Sequence, residues 1–176
     1  DTTFKGYQSH QYDTTGVVGV PPAQVAGVKS SPEFQQYKNL RIRYLTMNYL
    51  VKPFDNIKVR QALSLAIDKD LLAQTVFKGT VSPTNHIVPE GMVGYDAKLI
   101  GPGGVSATAG DKAMAKQLLA QGLQEDGLKA FPSVTFSYYS DSQAIINASQ
   151  AIMQMWQQNL GITVKSDVTT YAKLIT

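Results

Sequence analysis

The sequence contains no cysteine, which removes thiolate catalysis, cysteine-ligated metals and disulfides from consideration. It has two histidines, His10 and His86. They stand far apart, and neither falls in a His-Glu-x-x-His spacing that would place two ligands on one helix face. A metal site would need distant carboxylates to converge, so no metal and no cofactor are expected. No run approaches the ~18 uninterrupted apolar residues of a membrane-crossing helix. A serine nucleophile would call for a strained turn of the Gly-x-Ser-x-Gly kind, and none occurs. The run Gly101-Pro-Gly-Gly104 lacks the Gly-Lys-Ser/Thr ending of a phosphate-binding loop and reads as a plain loop. The chain starts at Asp1 without the basic start and apolar core of a secretion signal, which implies either a removed signal or an internal piece.

What is present fits an ordinary globular chain. Of its residues 43% are hydrophobic and 16% charged, and its 14 glycines and 8 prolines are spread out instead of clustered. A chain of 176 residues buries roughly 70% of its unfolded surface, so one domain with its own core is expected. The net charge is +3. Basic residues gather only around Lys38, Arg41, Arg43, Lys52, Lys58 and Arg60. Because that group spans an alternating segment and a helix start, it reads as a solvated basic face and not a phosphate-binding patch, and no nucleic-acid partner is expected.

Periodicity organises the rest. Val17, Val18 and Val20 suggest a short strand ending at Pro21-Pro22, followed by a short helix over Ala23 to Val28 with proline at its start. Residues 40–50 alternate as a strand through Leu40, Ile42 and Tyr44. Asp55 can cap a helix over about 56–67 with Val59, Ala62, Leu63 and Ala66 inward. Asp68 can cap a second helix that Gly79 stops. Residues 80–110 hold Pro83, Pro89, Pro102 and six glycines, which breaks both helix and strand; a loop so long is functional or mobile in most compact domains. Asp111 caps a helix with Ala113, Met114, Leu118 and Leu119 inward and Gly122 beyond its end. Val134, Phe136 and Tyr138 alternate as a strand. Asp141 or Ser142 opens the longest helix, with Ile145, Ser149, Ile152, Met153 and Trp156 on one face and Leu160-Gly161 at its close. Ile162, Val164, Ser166 and Val168 alternate again. This order predicts an α/β domain with a mixed β-sheet flanked by helices.

Most candidate chemistry has a plain structural explanation. His86 reads as a loop imidazole satisfied by backbone or water, and His10 sits in a polar terminal segment prone to fraying. Asp68 and Asp70 are accounted for by capping and the helix dipole. Trp156 and Met153 at helical spacing read as core, with the indole N–H finding a partner near the surface. The stretch Tyr138-Tyr139-Ser140-Asp141-Ser142 differs, because a strand end meeting a helix start gathers aromatic faces, hydroxyls and free N–H groups. A ligand edge and a simple strand-to-helix turn both fit it.

Arg43-Tyr-Leu-Thr-Met-Asn48, followed by Pro53-Phe-Asp-Asn-Ile-Lys-Val-Arg-Gln-Ala-Leu-Ser-Leu-Ala-Ile-Asp-Lys-Asp70, resembles the signature stretch of the peptide/nickel-type solute-binding proteins. Pro89 to Asp96, Ala113 to Ala120 and Trp156 to Val164 resemble later blocks of that family in the same order, and Val20 to Val25 resembles its preceding helix. The resemblance covers the distal lobe of what is in the family a much longer two-lobed protein. It implies one lobe of a bilobal fold like that of the periplasmic binding proteins (type II, cluster C), with residues 1–176 as a single lobe carrying the long loop 80–110. It also implies a monomer that binds ligand between lobes and docks, once closed, on an ABC permease. The implied location is extracytoplasmic, in a periplasm or lipid-anchored at the outer face of the cytoplasmic membrane. The implied ligand is a peptide, with oligosaccharide binding, a signalling role and, from a different class, a His86 hydrolase as alternatives. Tyr44, Thr46, Asn48, Asn85, Tyr138, Tyr139 and Asp141 are the candidate ligand residues, chosen because strand ends and loops should face the other lobe.

Overall fold

A computed structural model describes residues 2–16, 19–37 and 39–174. Among the described residues the elements in chain order are α1 (Thr2–Gln8), α2 (Pro22–Val28), α3 (Ile57–Leu65), α4 (Lys69–Thr75), a 3-10 turn at Pro102–Gly104, α5 (Lys112–Glu125), β1 (Thr135–Tyr139), α6 (Gln143–Leu160), β2 (Lys165–Thr169) and α7 (Tyr171–Leu174).

Helix α3 is the centre of the packing. Its Val59, Ala62, Leu63 and Leu65 are buried, and with Ala66 and Ile67 they form one cluster with Ala115 and Leu119 of α5 and Ile152, Met155 and Trp156 of α6. Burial of each large aliphatic side chain contributes about 1.5–3 kcal/mol. The helix is capped by Asn56, whose Oδ1 accepts from Lys58 N at 2.9 Å; the expected cap, Asp55, lies one residue too early to be the residue flanking the first turn. The Asn56 amide also donates to Gly122 O at 3.3 Å and Glu125 Oε2 at 3.1 Å, tying the start of α3 to the end of α5. Two ion pairs, Lys58 with Glu125 and Lys52 with Asp126, close the same junction. The hydrogen bond from Lys58 holds the Glu125 carboxyl below its usual range.

Gly122 lies within α5 and is buried, so the expectation that it stands beyond the helix end is corrected. A Cβ there would stand 2.7 Å from Val59 Cγ2 and 3.2 Å from Val59 N. It is a close-approach glycine that lets α5 lie directly on α3; the helix runs on to Glu125, and Gly127 takes the left-handed conformation after it. Ala115 takes the inward position expected of Ala113, which is exposed.

At the far end of α3 the last carbonyls are claimed by other elements. Trp156 Nε1 donates to Leu63 O at 2.8 Å, Asn159 Nδ2 to Ala66 O at 2.8 Å, and Asp111 N to Leu65 O at 3.0 Å. The indole is core, as expected, but its partner is buried and not near the surface. On α6 the buried positions include Ala148, Ser149, Ile152, Met155, Trp156 and Asn159. Met153 is only half-buried and Met155 takes its expected place.

Strand β1, helix α6 and strand β2 make a βαβ unit with the strands parallel and Thr135 opposite Lys165. The strand, helix, strand order is as expected, but where a mixed sheet was expected the described strands make one parallel pair. Phe136 and Tyr138 face α6, and the Phe136 ring lies 5.6 Å from that of Trp156. Gly161, left-handed at φ 71°, ends α6 as expected. The second strand begins later than expected, at Lys165, and Ser166 and Val168, expected inward, are exposed.

Further expectations change or fall outside the described residues. Residues 40–50 form no strand, because a period-two pattern becomes a strand only where a neighbouring ladder can take its N–H and C=O groups. The pattern itself survives: from Tyr44 to Asn48 the side chains alternate between exposed and half-buried, and Leu45 and Met47 pack against the core. The terminal segment preceding His10 carries α1, with Phe4 buried and Gly6 pressed against the Tyr12 ring. Val17 and Val18 lie outside the described residues, as does Lys38, and Val20 is in no strand. The expected side-chain cap of α6 is not made: Ser142 occupies the capping position without a side-chain bond.

Gly122→Ala is expected to destabilise the fold. Adding the methyl gains up to about 1 kcal/mol of helix propensity, but overpacking against stiff, fully buried Val59 costs about 1–3 kcal/mol, so a lower urea midpoint should be measured. Asn159→Leu keeps the bulk of the side chain but leaves Ala66 O without its donor; a loss of about 1–3 kcal/mol is expected from the same titration.

Candidate functional site

The sequence-derived ligand residues fall into three places. The first is the row Tyr44, Thr46 and Asn48, exposed on the side opposite to Leu45 and Met47. Tyr44 is 64% exposed, so its ring is available as a contact face. Asn48 is partly engaged, its Oδ1 accepting from Leu50 N at 3.2 Å to shape the turn after the row.

The second is the base of the loop 80–110, which holds no helix or strand beyond the 3-10 turn. Asn85 stands here as a clasp. Its Nδ2 donates to Ser106 O at 3.0 Å and reaches Val105 O and Ala107 O at 3.4 Å. Its Oδ1 accepts from Lys69 Nζ at 2.5 Å, and the same ammonium donates to Thr84 O at 3.1 Å. Burial pushes the Lys69 ammonium below its usual pKa, and these two acceptors offset that cost. Thr108 completes the attachment: its O accepts from Lys69 N at 3.0 Å and its Oγ1 donates to Asp70 Oδ1 at 2.7 Å. Both arms of the loop are thereby pinned to the start of α4, and the Asn85 side chain is committed to the loop's own backbone. Asp68 caps α4 as expected, accepting from Leu71 N at 2.8 Å. The His86 ring packs tilted against that of Tyr95 with ring centres 5.1 Å apart, and among the described residues no group of three or more His, Cys, Asp or Glu could hold a metal ion.

The third place is the carboxyl end of the parallel strands, where open α/β sheets place their ligands. Tyr138 does not belong to it. It is 5% exposed, and its hydroxyl pairs with Ser166 Oγ at 3.0 Å. Strand parity puts it inside with Val134 and Phe136. Tyr139, on the opposite face, is half-buried with its ring edge-on to Tyr171 at 5.3 Å. Asp141 is exposed, and its Oδ2 accepts from Tyr171 N at 3.1 Å, so it supports the start of α7 and not that of α6. Ser140 N donates to Thr169 O at 2.8 Å. Tyr139, Asp141 and Tyr171 thus form one group. Tyr171 was missed; its signal was its place two residues past the end of the second strand, beside the carboxyl end of the first.

Helices packed against a parallel βαβ unit define an α/β architecture, and folds of that class place ligands at the carboxyl ends of their strands. Residues 1–174 match the bacterial extracellular solute-binding proteins, family 5, and the chain belongs to that family. It is 28% identical over 176 residues to the oligopeptide-binding protein OppA of Bacillus subtilis, a match covering 95% of the chain and 31% of OppA. Over 171 residues it is 26% identical to the dipeptide-binding protein DppE of the same organism, covering 94% of the chain and 30% of DppE. Among solved structures, a periplasmic oligopeptide-binding protein of Borrelia burgdorferi superposes with a TM-score of 0.72 at 27% identity, over 99% of this chain and 33% of that one. The chain therefore spans about a third of the length of the relatives it matches.

Asn85→Ala should loosen the loop without unfolding the helices. Losing a side chain that joins two loop arms and a buried ammonium removes about 1–3 kcal/mol of local stability. Hydrogen exchange should then show amides within 86–104 exchanging roughly tenfold faster or more, with those of α3 and α5 little changed.

Proposed function

We propose that this chain is one lobe of the substrate-binding component of an ABC importer, a protein that captures oligopeptides or dipeptides outside the cytoplasmic membrane and delivers them to a permease. The observation that carries this reading is similarity along nearly the whole chain to proteins named for oligopeptide and dipeptide binding. The work of such a lobe is binding and release, without bond making. The geometry supports it in two ways. The exposed Tyr44, Thr46 and Asn48 present one aromatic face and polar groups in a row, which suits an extended peptide whose side chains vary while its backbone does not. Tyr139, Asp141 and Tyr171 present a second aromatic and acidic group at the strand ends. Asn85 and Tyr138 act behind these surfaces, one holding the long loop and the other in the core. The His86 ring lies tilted against that of Tyr95, a loop contact that accounts for it without a catalytic role.

The reading is tested on the full two-lobed protein that contains this chain. Calorimetry and native mass spectrometry against a pool of short peptides, with oligosaccharides as the control pool, should show peptides retained at about micromolar affinity or better. Tyr44→Ala and Tyr139→Ala should each weaken binding by roughly tenfold, the usual loss when an aromatic contact is truncated. Retention of sugars, or of nothing, would move the assignment to a carbohydrate-binding or signalling member of the family.

A further inference from the structure

The loop 80–110 is firmly built, yet its tip is apolar and turned to water. The Asn85 amide closes its arms, and the returning arm comes so near because residue 101 is glycine: a Cβ there would stand 2.7 Å from Asn85 Nδ2. Beyond this clasp Met92 N donates to Pro89 O at 3.1 Å, Tyr95 N to Met92 O at 3.1 Å and Leu99 N to Asp96 O at 3.2 Å, closing three four-residue turns. Gly91 and Gly94, both at φ 92°, flank Met92 and Val93 in a conformation that a side chain would resist. On this held backbone Met92 is exposed and Val93 is 100% exposed. The tip also has a definite neighbour. A Cβ on Gly91 would lie 3.6 Å from Leu40 Cδ2, an ordinary contact distance, so the tip rests on the segment that carries the row Tyr44, Thr46 and Asn48. Leu40 is itself exposed, and it stands four residues before Tyr44, at most about 14 Å along the chain.

We propose that Met92 and Val93 form the far wall of this row and select an apolar side chain of a peptide ligand. An extended peptide laid from Tyr44 toward Leu40 advances about 3.3 Å per residue, so its fifth residue reaches the tip at the latest. There it meets the valine, the methionine and the exposed part of Leu40. Methionine adapts its shape to apolar side chains of different form, whereas a polar or charged side chain enclosed against the same wall would lose water without gaining a partner. Because the clasp and the turns are already formed, little ordering is needed on contact. The selection rests on the peptide-binding reading above and adds to it a preference for one kind of side chain at one place in the ligand.

Calorimetry on the full two-lobed protein tests it, with pentaalanine and derivatives in which each position in turn is leucine, serine or aspartate. At one position leucine should bind about tenfold more tightly than serine. Replacing both Met92 and Val93 by serine should bring that ratio close to one, and Val93→Lys should turn the same position toward aspartate, a gain that damage to the fold would not produce. Circular dichroism checks folding, and because Val93 has no side-chain burial to lose, Val93→Lys serves alone should the double variant fail to fold. Peptides bound without such a position, a ratio that survives the double substitution, or a Val93→Lys protein that does not turn toward aspartate would each overturn the selection and leave peptide binding standing. A protein that binds none of the peptides would overturn both.

Discussion

The end of α3 is where the architecture is decided. A helix leaves its last carbonyls without partners, and in a buried setting each unmet acceptor costs about 1–3 kcal/mol. Here three of them are met from three directions: the indole of Trp156, the amide of Asn159, and the backbone of Asp111. Trp156 and Asn159 are three apart, so they share one face of α6 and fix both its rotation and its height against α3. Asp111 is at once the cap of α5, accepting from Met114 N at 2.9 Å, and a donor to α3. The three helices are therefore registered by directional bonds as well as by apolar contact, and the strands on either side of α6 inherit their position from it.

The helical framework was legible because its signals are local. Asp68, Asp111 and Gly161 act within one turn of where they stand, and each does what its type and place suggested. Gly122 was misread because a glycine after an apolar stripe gives the same sign whether it stops a helix or lets another come close; only the position of Val59 separates the two. The segment 40–50 was misread for a related reason. Alternation specifies only that successive side chains face opposite ways, and the face read through Leu40, Ile42 and Tyr44 is not the inner one: Leu40 and Tyr44 are exposed while Leu45 and Met47 pack on the core; ladder formation in turn depends on a neighbour that the segment does not contain.

The candidate site divides along the same line. Tyr44, Thr46 and Asn48 are exposed, Tyr44 against the alternation that grouped it with Leu40 and Ile42. Tyr138 could not be both on the inward face of its strand with Phe136 and a ligand contact, and burial resolved that conflict. Asn85 was recognisable as a polar group in an unusual loop, yet its carbonyl partners lie twenty and more residues further on. Asp141 or Ser142 was read as opening the helix beside them; Ser142 holds the capping position, and Asp141 instead supports α7, thirty residues away. The folding pattern rested on near neighbours and the site on distant ones.

The clasp at Asn85 also bears on how such a protein can change over time. The loop leaves and rejoins the helices at almost one point, with its two arms bridged by a single amide and anchored on α4. The stretch between them can then lengthen, shorten or alter its composition while the helices keep their places, because the cost of closing a loop grows only slowly with its length. Selection for a new partner can work on that stretch as on an exchangeable attachment, provided that Asn85 and the backbone it holds remain.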